Sequence, residues 1–241
     1  MNVLLLMMGG SGTRLGAAIP KQFLKVDGKP IFQYILEGYA ALPEIGAMCI
    51  VSHADWLPYV KEVVDSVSPR CTVCITAGGA TRSESVRNGL HAVSDIADES
   101  ATVLLHDATH PYVDVEGTRR VIQAVQRCGG ATLGACQYDT CYQMDGDQLL
   151  EKVIPRQYVV SGASPEAFRY GDISRIYFSA AQEELEKMTS AGAIALTHGI
   201  SMEVIPSNIL NLKITYPQDL ELFKMLVHTY FFPPEQTGAD N

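Results

Sequence analysis

An α/β fold, with a mostly parallel sheet and helices on both faces, is predicted by three features of the chain. Apolar runs of strand length alternate with runs of helix length from residue 3 to about residue 138, as repeated β-α-β units require. The strand-like runs are continuously apolar, as in "VLLLMM" and "ATVLLHDA", which is how strands covered on both faces read. Glycine or charge follows the first, third and fourth runs closely, in "GGSGTR", "GGATR" and "HDATHP". In an open parallel sheet, ligands sit beyond the carboxyl ends of the strands.

Taken in order, Val3–Met8 is the first strand; it is too short, and lacks the preceding basic residues, to be the apolar part of a secretory leader. "FQYILEGYAAL" reads as a helix, "AMCIVS" as the second strand, "WLPYVKEVVDSV" as a helix and "CTVCITA" as the third strand. "SESVRNGLHAV" and "VEGTRRVIQAVQRC" are helices on either side of the strand "ATVLLHDA", and "ATLGACQ" is a fifth strand. The pattern then changes. A "MDGD" turn between two short extended runs predicts a hairpin, a small β-arm over about 138–160 of the kind that packs on a second subunit. "ISRIYFSAAQEELEKMTSAG" is one helix or a pair, "SMEVIPS" and "NLKIT" are late strands, and "PQDLELFKMLVHTYF" is a terminal helix opened by Pro217. This gives a single domain over 1–232 carrying the arm, and a flexible tail over 233–241.

With 241 residues, 47% of them hydrophobic, the chain is long enough to bury a substantial core. A net charge of −9 argues against a protein held to nucleic acid by a basic face. No segment has the apolar length needed to span a bilayer. Of the six cysteines only Cys71 and Cys74 have C-x-x-C spacing, with no second pair at zinc-site spacing. The expectation is a cytoplasmic protein with reduced thiols and neither a nucleic-acid nor a membrane partner.

The first loop carries the chemistry. Gly9, Gly10 and Gly12 let the backbone turn tightly and bring N–H groups toward a bound anion. The spacing Gly10, Gly12, Gly16 is not G-x-G-x-x-G, and Lys21 follows Pro20 rather than a P-loop glycine. A glycine loop with Arg14, and a Lys21 that Pro20 directs back toward it, suits a triphosphate whose charge grows in the transition state. The spacing alone fits equally a strand-to-helix turn with solvated cations.

"GGSGTRLGAAIPKQFL" resembles the signature of the cytidylyltransferases that act on polyol phosphates, the methylerythritol-phosphate and ribitol-5-phosphate enzymes. "GGATRSESVRNGL" is similar to that family's G-G-x-x-R-x-x-S-V, "HDATHP" to its H-D-A-x-R-P, and Asp139–Thr140 to its D-T. "GASPEAF" is similar to its Q-T-P-Q-x-F and "NLKITYPQDL" to its N-[IL]-K-[IV]-T-x-P-x-D-L. The matches run in order from residue 9 to residue 220.

The resemblance implies a Rossmann-like fold of the nucleotide-diphospho-sugar transferase type and transfer of CMP from CTP to a polyol phosphate with release of pyrophosphate. It implies that Arg14 and Lys21 grip the triphosphate over a cradle of Gly9, Gly10, Gly12 and Thr13. Gly78, Gly79 and Ser85 would hold the pyrimidine, braced by Arg82; a helix-start hydroxyl is the other reading of Ser85. Asp107, at a strand end, would bind Mg²⁺ bridging phosphate oxygens, or else a salt bridge or cap. Lys213 would sit by the α-phosphate, and Thr140 and Arg156 by the polyol phosphate, Arg156 from a partner's arm in a homodimer. His106 reads as a packed histidine, because the attacking phosphate oxygen is already an anion and needs no general base.

The departures cluster in the acceptor half. His110 stands for the family's arginine, Ser164 for threonine, Ser190 for an aspartate, and Leu210 for a polar residue. "VSHADWLPYVKEVVD" resembles the ribitol-phosphate branch, which puts ribitol 5-phosphate or a similar pentitol phosphate ahead of 2-C-methyl-D-erythritol 4-phosphate. A nucleotide-binding relative with weak or no turnover is the reading from another class.

Overall fold

The computed structural model describes residues 1–9 and 19–233. Gly10, Gly12, Thr13 and Arg14 lie outside the described residues, as does the tail from residue 234 onward.

In chain order the elements are β1 (Asn2–Met8), β2 (Lys25–Val26), β3 (Lys29–Pro30), α1 (Ile31–Ala40), β4 (Ile45–Ser52), α2 (Leu57–Val67), β5 (Thr72–Ala77), α3 (Arg82–Ser94), β6 (Thr102–Asp107), α4 (Val115–Cys128) and β7 (Gly129–Cys136). There follow β8 (Cys141–Met144), β9 (Leu150–Ile154), β10 (Val160–Arg169), α5 (Tyr170–Ser179), α6 (Gln182–Lys187), α7 (Ala191–Thr197), β11 (Ser201–Pro206) and α8 (Pro217–Leu226).

Seven strands form one sheet in the order β11-β7-β10-β6-β1-β4-β5. All neighbours are parallel except β10, which runs against β6 and β7. The mostly parallel, Rossmann-like sheet is the predicted one. Its core explains the unbroken apolar strands: Leu4 and Leu6 of β1 pack into one layer with α1, α2 and α4, while Val3 and Leu5 pack into the other with α3, α5 and α7. Successive strand residues point to opposite faces, so both parities must be apolar. Cys74 sits opposite Cys49 across β4 and β5, and all six cysteines are free.

Three elements depart from the sequence reading. "NLKIT" is extended but joins no ladder: Leu212 and Ile214 turn into a third apolar cluster with Phe223 and Phe231, and Ile214 N–H donates to Thr109 C=O at 2.8 Å. Its alternation is that of a strand, but its partner is a helix face. β10 was not predicted, because its Pro165 and small residues argue against an interior strand; the ladder accommodates them through a register shift between Ala163 and Glu166. The stretch from Ile173 divides into α5, α6 and α7, the chain turning extended at Ala180 and at Met188.

The "MDGD" hairpin forms. β8 and β9 pair antiparallel in a sheet of their own, and the Asp145 carboxylate accepts the N–H groups of Asp147 and Leu149 at the turn. Tyr142, Met144, Leu150 and Val153 of this arm are all more than half exposed.

Candidate active site

The carboxyl ends of β1, β5 and β6 open onto a cleft of about 620 Å³, lined by Gly9, Lys21, Gly79, Arg82, Ser85, Asp107 and Lys213 among others. The chain builds each wall locally. After β5 the segment Gly78–Thr81 is closed by a capping box: Thr81 Oγ1 accepts Glu84 N–H at 3.1 Å, and Glu84 Oε2 accepts the N–H groups of Ala80 and Thr81 at 2.7 and 3.3 Å. Ser85, buried beneath, accepts Gly79 N–H at 3.0 Å and donates to Thr81 C=O at 2.9 Å. Any Cβ at Gly9 or at Gly78 would fall 2.8 Å from Ser85 Oγ, so both glycines are required for the two loops to close on this hydroxyl. In this geometry Ser85 shapes the loop from within.

Lys21 returns toward the cleft. Its turn, Lys21–Phe23, follows Pro20, and Gln22 Nε2 ties that turn to the end of β1 by donating to Met8 C=O at 2.7 Å. Lys21 Nζ donates to Ile214 C=O at 3.0 Å, beside Lys213. Because Leu212 and Ile214 face the apolar cluster, Lys213 between them faces the cleft.

Asp107, at the end of β6, receives two cations. Arg82 Nη2 lies 3.2 Å from Oδ1 and Lys213 Nζ 3.2 Å from Oδ2. Burial pushes this carboxyl up, but Arg82 and Lys213 outweigh it and hold it well below the usual carboxylate range. Burial is the largest single influence on Arg82 and lowers its pKa, but the charge of Asp107, with those of Tyr177 and Glu166 and the Asp107 hydrogen bond, together outweigh it and raise it.

A second chamber of about 260 Å³ adjoins the first. It shares Arg82, Asp107, Thr189 and Lys213 with the cleft and adds His110, Ser164, Glu166 and Ser190. Ser164 Oγ accepts Asp107 N–H at 3.2 Å and lies 2.8 Å from His110 Nδ1. Burial, then the neighbouring His106 and Lys213, bring His110 down to about 3. His106 is wholly buried and brought down to about 4, chiefly by that burial. Its Nε2 donates to His110 C=O at 2.9 Å, which leaves Nδ1 to accept from Tyr39 Oη at 3.0 Å. It is a packed, hydrogen-bonded histidine, as its sequence context suggests.

The structure therefore brings Gly9, Lys21, Gly79, Arg82, Ser85, Asp107, His110, Ser164 and Lys213 to two joined chambers, with Gly78 packed against Ser85. It does not bring Thr140 and Arg156 there within one chain; both are exposed on the arm, where Arg156 donates to Tyr138 C=O. Ser190 caps α7, accepting Ala193 N–H at 3.1 Å. Leu210 lines a smaller neighbouring cavity with Asn211. Sequence reasoning missed Glu166 and Thr189. Glu166 lies inside "GASPEAF" and Thr189 beside Ser190, but the resemblance assigns neither a role; the bonds from Ala191 and Gly192 N–H to the Glu166 carboxylate are what link them at the chamber. Among the described residues no three metal-ligating side chains cluster, so Asp107 is the one carboxylate shared by both chambers.

The sequence profile of the family described as IspD, 2-C-methyl-D-erythritol 4-phosphate cytidylyltransferase, matches residues 2–229. The chain is 33% identical over 226 residues to the 2-C-methyl-D-erythritol 4-phosphate cytidylyltransferase of Thermotoga neapolitana, covering 94% of this chain and 96% of that one. It is 28% identical over 230 residues to the ribitol-5-phosphate cytidylyltransferase of Vibrio parahaemolyticus, covering 95% and 97%. Its fold is similar to the crystal structure of 4-diphosphocytidyl-2C-methyl-D-erythritol synthase from Anaerococcus prevotii, at a TM-score of 0.79 and 21% identity, covering 94% and 96%. A glycine-lined cleft, a second chamber and a doubly paired Asp107 between them thus stand on a chain that, by profile and by relatives, belongs to the 2-C-methyl-D-erythritol 4-phosphate cytidylyltransferase family.

Proposed function

We propose that this protein transfers CMP from CTP to the phosphate of a polyol phosphate and releases pyrophosphate. The observation that carries the reading is the junction of the two chambers, where Arg82 and Lys213 flank Asp107 and Lys21 is held beside Lys213 through Ile214 C=O. A triphosphate in the larger cleft and a phosphate monoester in the smaller chamber would meet there, two anions drawn together by three cations. The monoester oxygen is already ionised near neutral pH, and His106 and His110 are both neutral there. Catalysis then rests on proximity and on neutralising the charge that develops on the α-phosphoryl group and the departing pyrophosphate. Gly9 would contribute backbone to the triphosphate cradle; Gly10, Gly12, Thr13 and Arg14 belong to it by the family resemblance of "GGSGTRLGAAIPKQFL".

Asp107 is the carboxylate that would hold Mg²⁺, which commonly takes one or two carboxylates and draws its other ligands from phosphates and water; its two oxygens pair here with Arg82 and Lys213, so holding the ion would share or displace those contacts. When bound, the ion would add positive charge at the phosphate oxygens.

Thr140 and Arg156 reach an acceptor only from another chain, and the exposed apolar face of β8 and β9 supports a homodimer formed through the arm. Free thiols throughout support a cytoplasmic setting, and no helix among the described residues is long and apolar enough to cross a membrane. For the acceptor, the His53–Trp56 stretch favours ribitol 5-phosphate. The relative at 33% identity favours 2-C-methyl-D-erythritol 4-phosphate as the second reading.

Pyrophosphate release with CTP, Mg²⁺ and each acceptor in turn tests this. The reading expects turnover with CTP well above that with ATP, GTP or UTP, and kcat/KM higher for one polyol phosphate. Nucleotide binding without pyrophosphate release across the acceptor panel would replace it with a binding protein.

A further inference from the structure

Among the described residues lining the smaller chamber, Glu166 is the charged side chain that no step above uses. It re-enters the β10 ladder after the Ser164–Pro165 irregularity, opposite Leu105 on β6 and Thr132 on β7. Both of its oxygens are occupied: Oε2 accepts Ala191 N–H and Oε1 accepts Gly192 N–H, each at 3.1 Å. These are the first two residues of α7, whose opening N–H groups have no partner within the helix. Ser190 supplies the ordinary local cap, so the carboxylate from the sheet is a second tie on the same turn. Residue 192 must be glycine for this approach, since a Cβ there would lie 2.6 Å from Glu166 Oε1. The residues just ahead of the tie, Thr189 and Ser190, line the smaller chamber.

We propose that Glu166 is a positioning residue for the acceptor: by fixing the start of α7 to the sheet it holds Thr189 and Ser190 against the chamber and sets its width. It touches neither substrate in this account. The proposal rests on reading the smaller chamber as the acceptor site. Thr189 also borders the larger cleft, but Gly9, Lys21, Gly79 and Ser85 line that cleft independently of α7 while Ser190 lines only the smaller chamber, so the effect falls mainly on the acceptor.

The test compares wild type with Glu166→Gln, nearly identical in shape, and Glu166→Ala. Gln retains one carbonyl oxygen and turns an N–H₂ toward a backbone donor, so it keeps one of the two bonds. The expected result is a rise in acceptor KM of about tenfold in Glu166→Ala and about threefold in Glu166→Gln, with KM for CTP changed less than about twofold. Amide exchange at Ala191 and Gly192 should quicken in the same order. Equal rises in both KM values, or an unchanged acceptor KM despite faster exchange, would overturn the positioning role. Unchanged exchange would overturn the tie itself. A wild-type protein that turns over no polyol phosphate would instead remove the acceptor reading, and the proposal with it.

Discussion

Asp107 meets two opposed demands, burial that favours the neutral acid and two cations that favour the carboxylate, and the cations prevail. The two cations thus hold Asp107 ionised well below the ordinary carboxylate range. On the proposed reading Lys21 and Lys213 neutralise the developing charge, so Lys213→Ala should lower kcat by about 10²- to 10³-fold with little change in the melting temperature, the scale set by loss of one preorganised electrostatic contact. Steady-state kinetics beside a thermal melt separates the two effects. His106 and His110 lie below their ordinary 6.5, at about 4 and about 3. Neutral in the native state, they take up protons on unfolding once the pH falls below 6.5, so the unfolded state binds more protons there. Stability is therefore full above about pH 6.5 and declines as pH falls toward 4 and then 3. Melting temperatures from pH 7.5 to 4.5 should show that decline, and His110→Asn should make it shallower. Asp107 was legible in the sequence because it ends an apolar strand, Lys21 because Pro20 directs it back toward the glycine loop, and Lys213 through the family resemblance of "NLKITYPQDL". The pairing of His110 with Ser164 was not, since it spans residues 54 apart in sequence and depends on how β10 meets β6.

At the level of elements, helix α3 lies close enough to the sheet that Gly89 has no room for a side chain. A Cβ there would lie 2.5 Å from Leu5 Cδ1 and 2.7 Å from Val51 Cγ2, and both neighbours are fully buried. Gly89→Ala should destabilise the fold by about 1–3 kcal/mol, the usual cost of overpacking, read as a lower denaturant midpoint with an unchanged slope. The arm makes a different prediction. Tyr142 and Val153 are cross-strand partners in the hairpin, exposed together; replacing both with lysine should leave the fold intact and turn a dimer into a monomer in sedimentation equilibrium. A wild type that sediments as a monomer would end the arm-mediated dimer and the route by which Arg156 reaches an acceptor. The hairpin could be read from its turn residues alone. β10 could not, because its pairing is set by strands distant in sequence, and "NLKIT" was misassigned because alternation reports burial of one face without saying what buries it.

At the scale of the whole molecule, the order β11-β7-β10-β6-β1-β4-β5 gathers the ends of β1, β5 and β6 on one edge, and β10, running the other way, brings its Ser164–Glu166 stretch to the same edge. The parallel half supplies the larger cleft, with the glycine loops. The antiparallel strand and α7 supply the smaller chamber, where His110, Ser164 and Ser190 depart from the residues expected of relatives. On the proposed reading, most nucleotide and most acceptor contacts fall on different elements, with Arg82, Asp107, Thr189 and Lys213 shared at the junction, an arrangement in which one fold can accommodate different polyol phosphates. The central claim is that the α-phosphoryl group of CTP moves to an acceptor phosphate. Phosphorus NMR of a reaction containing CTP, Mg²⁺ and ribitol 5-phosphate or 2-C-methyl-D-erythritol 4-phosphate follows that atom directly. The account predicts that the α-phosphorus appears in a new diphosphate linkage to the acceptor, with one pyrophosphate formed per linkage; CMP and pyrophosphate without that linkage, or unaltered CTP with both acceptors, would contradict it.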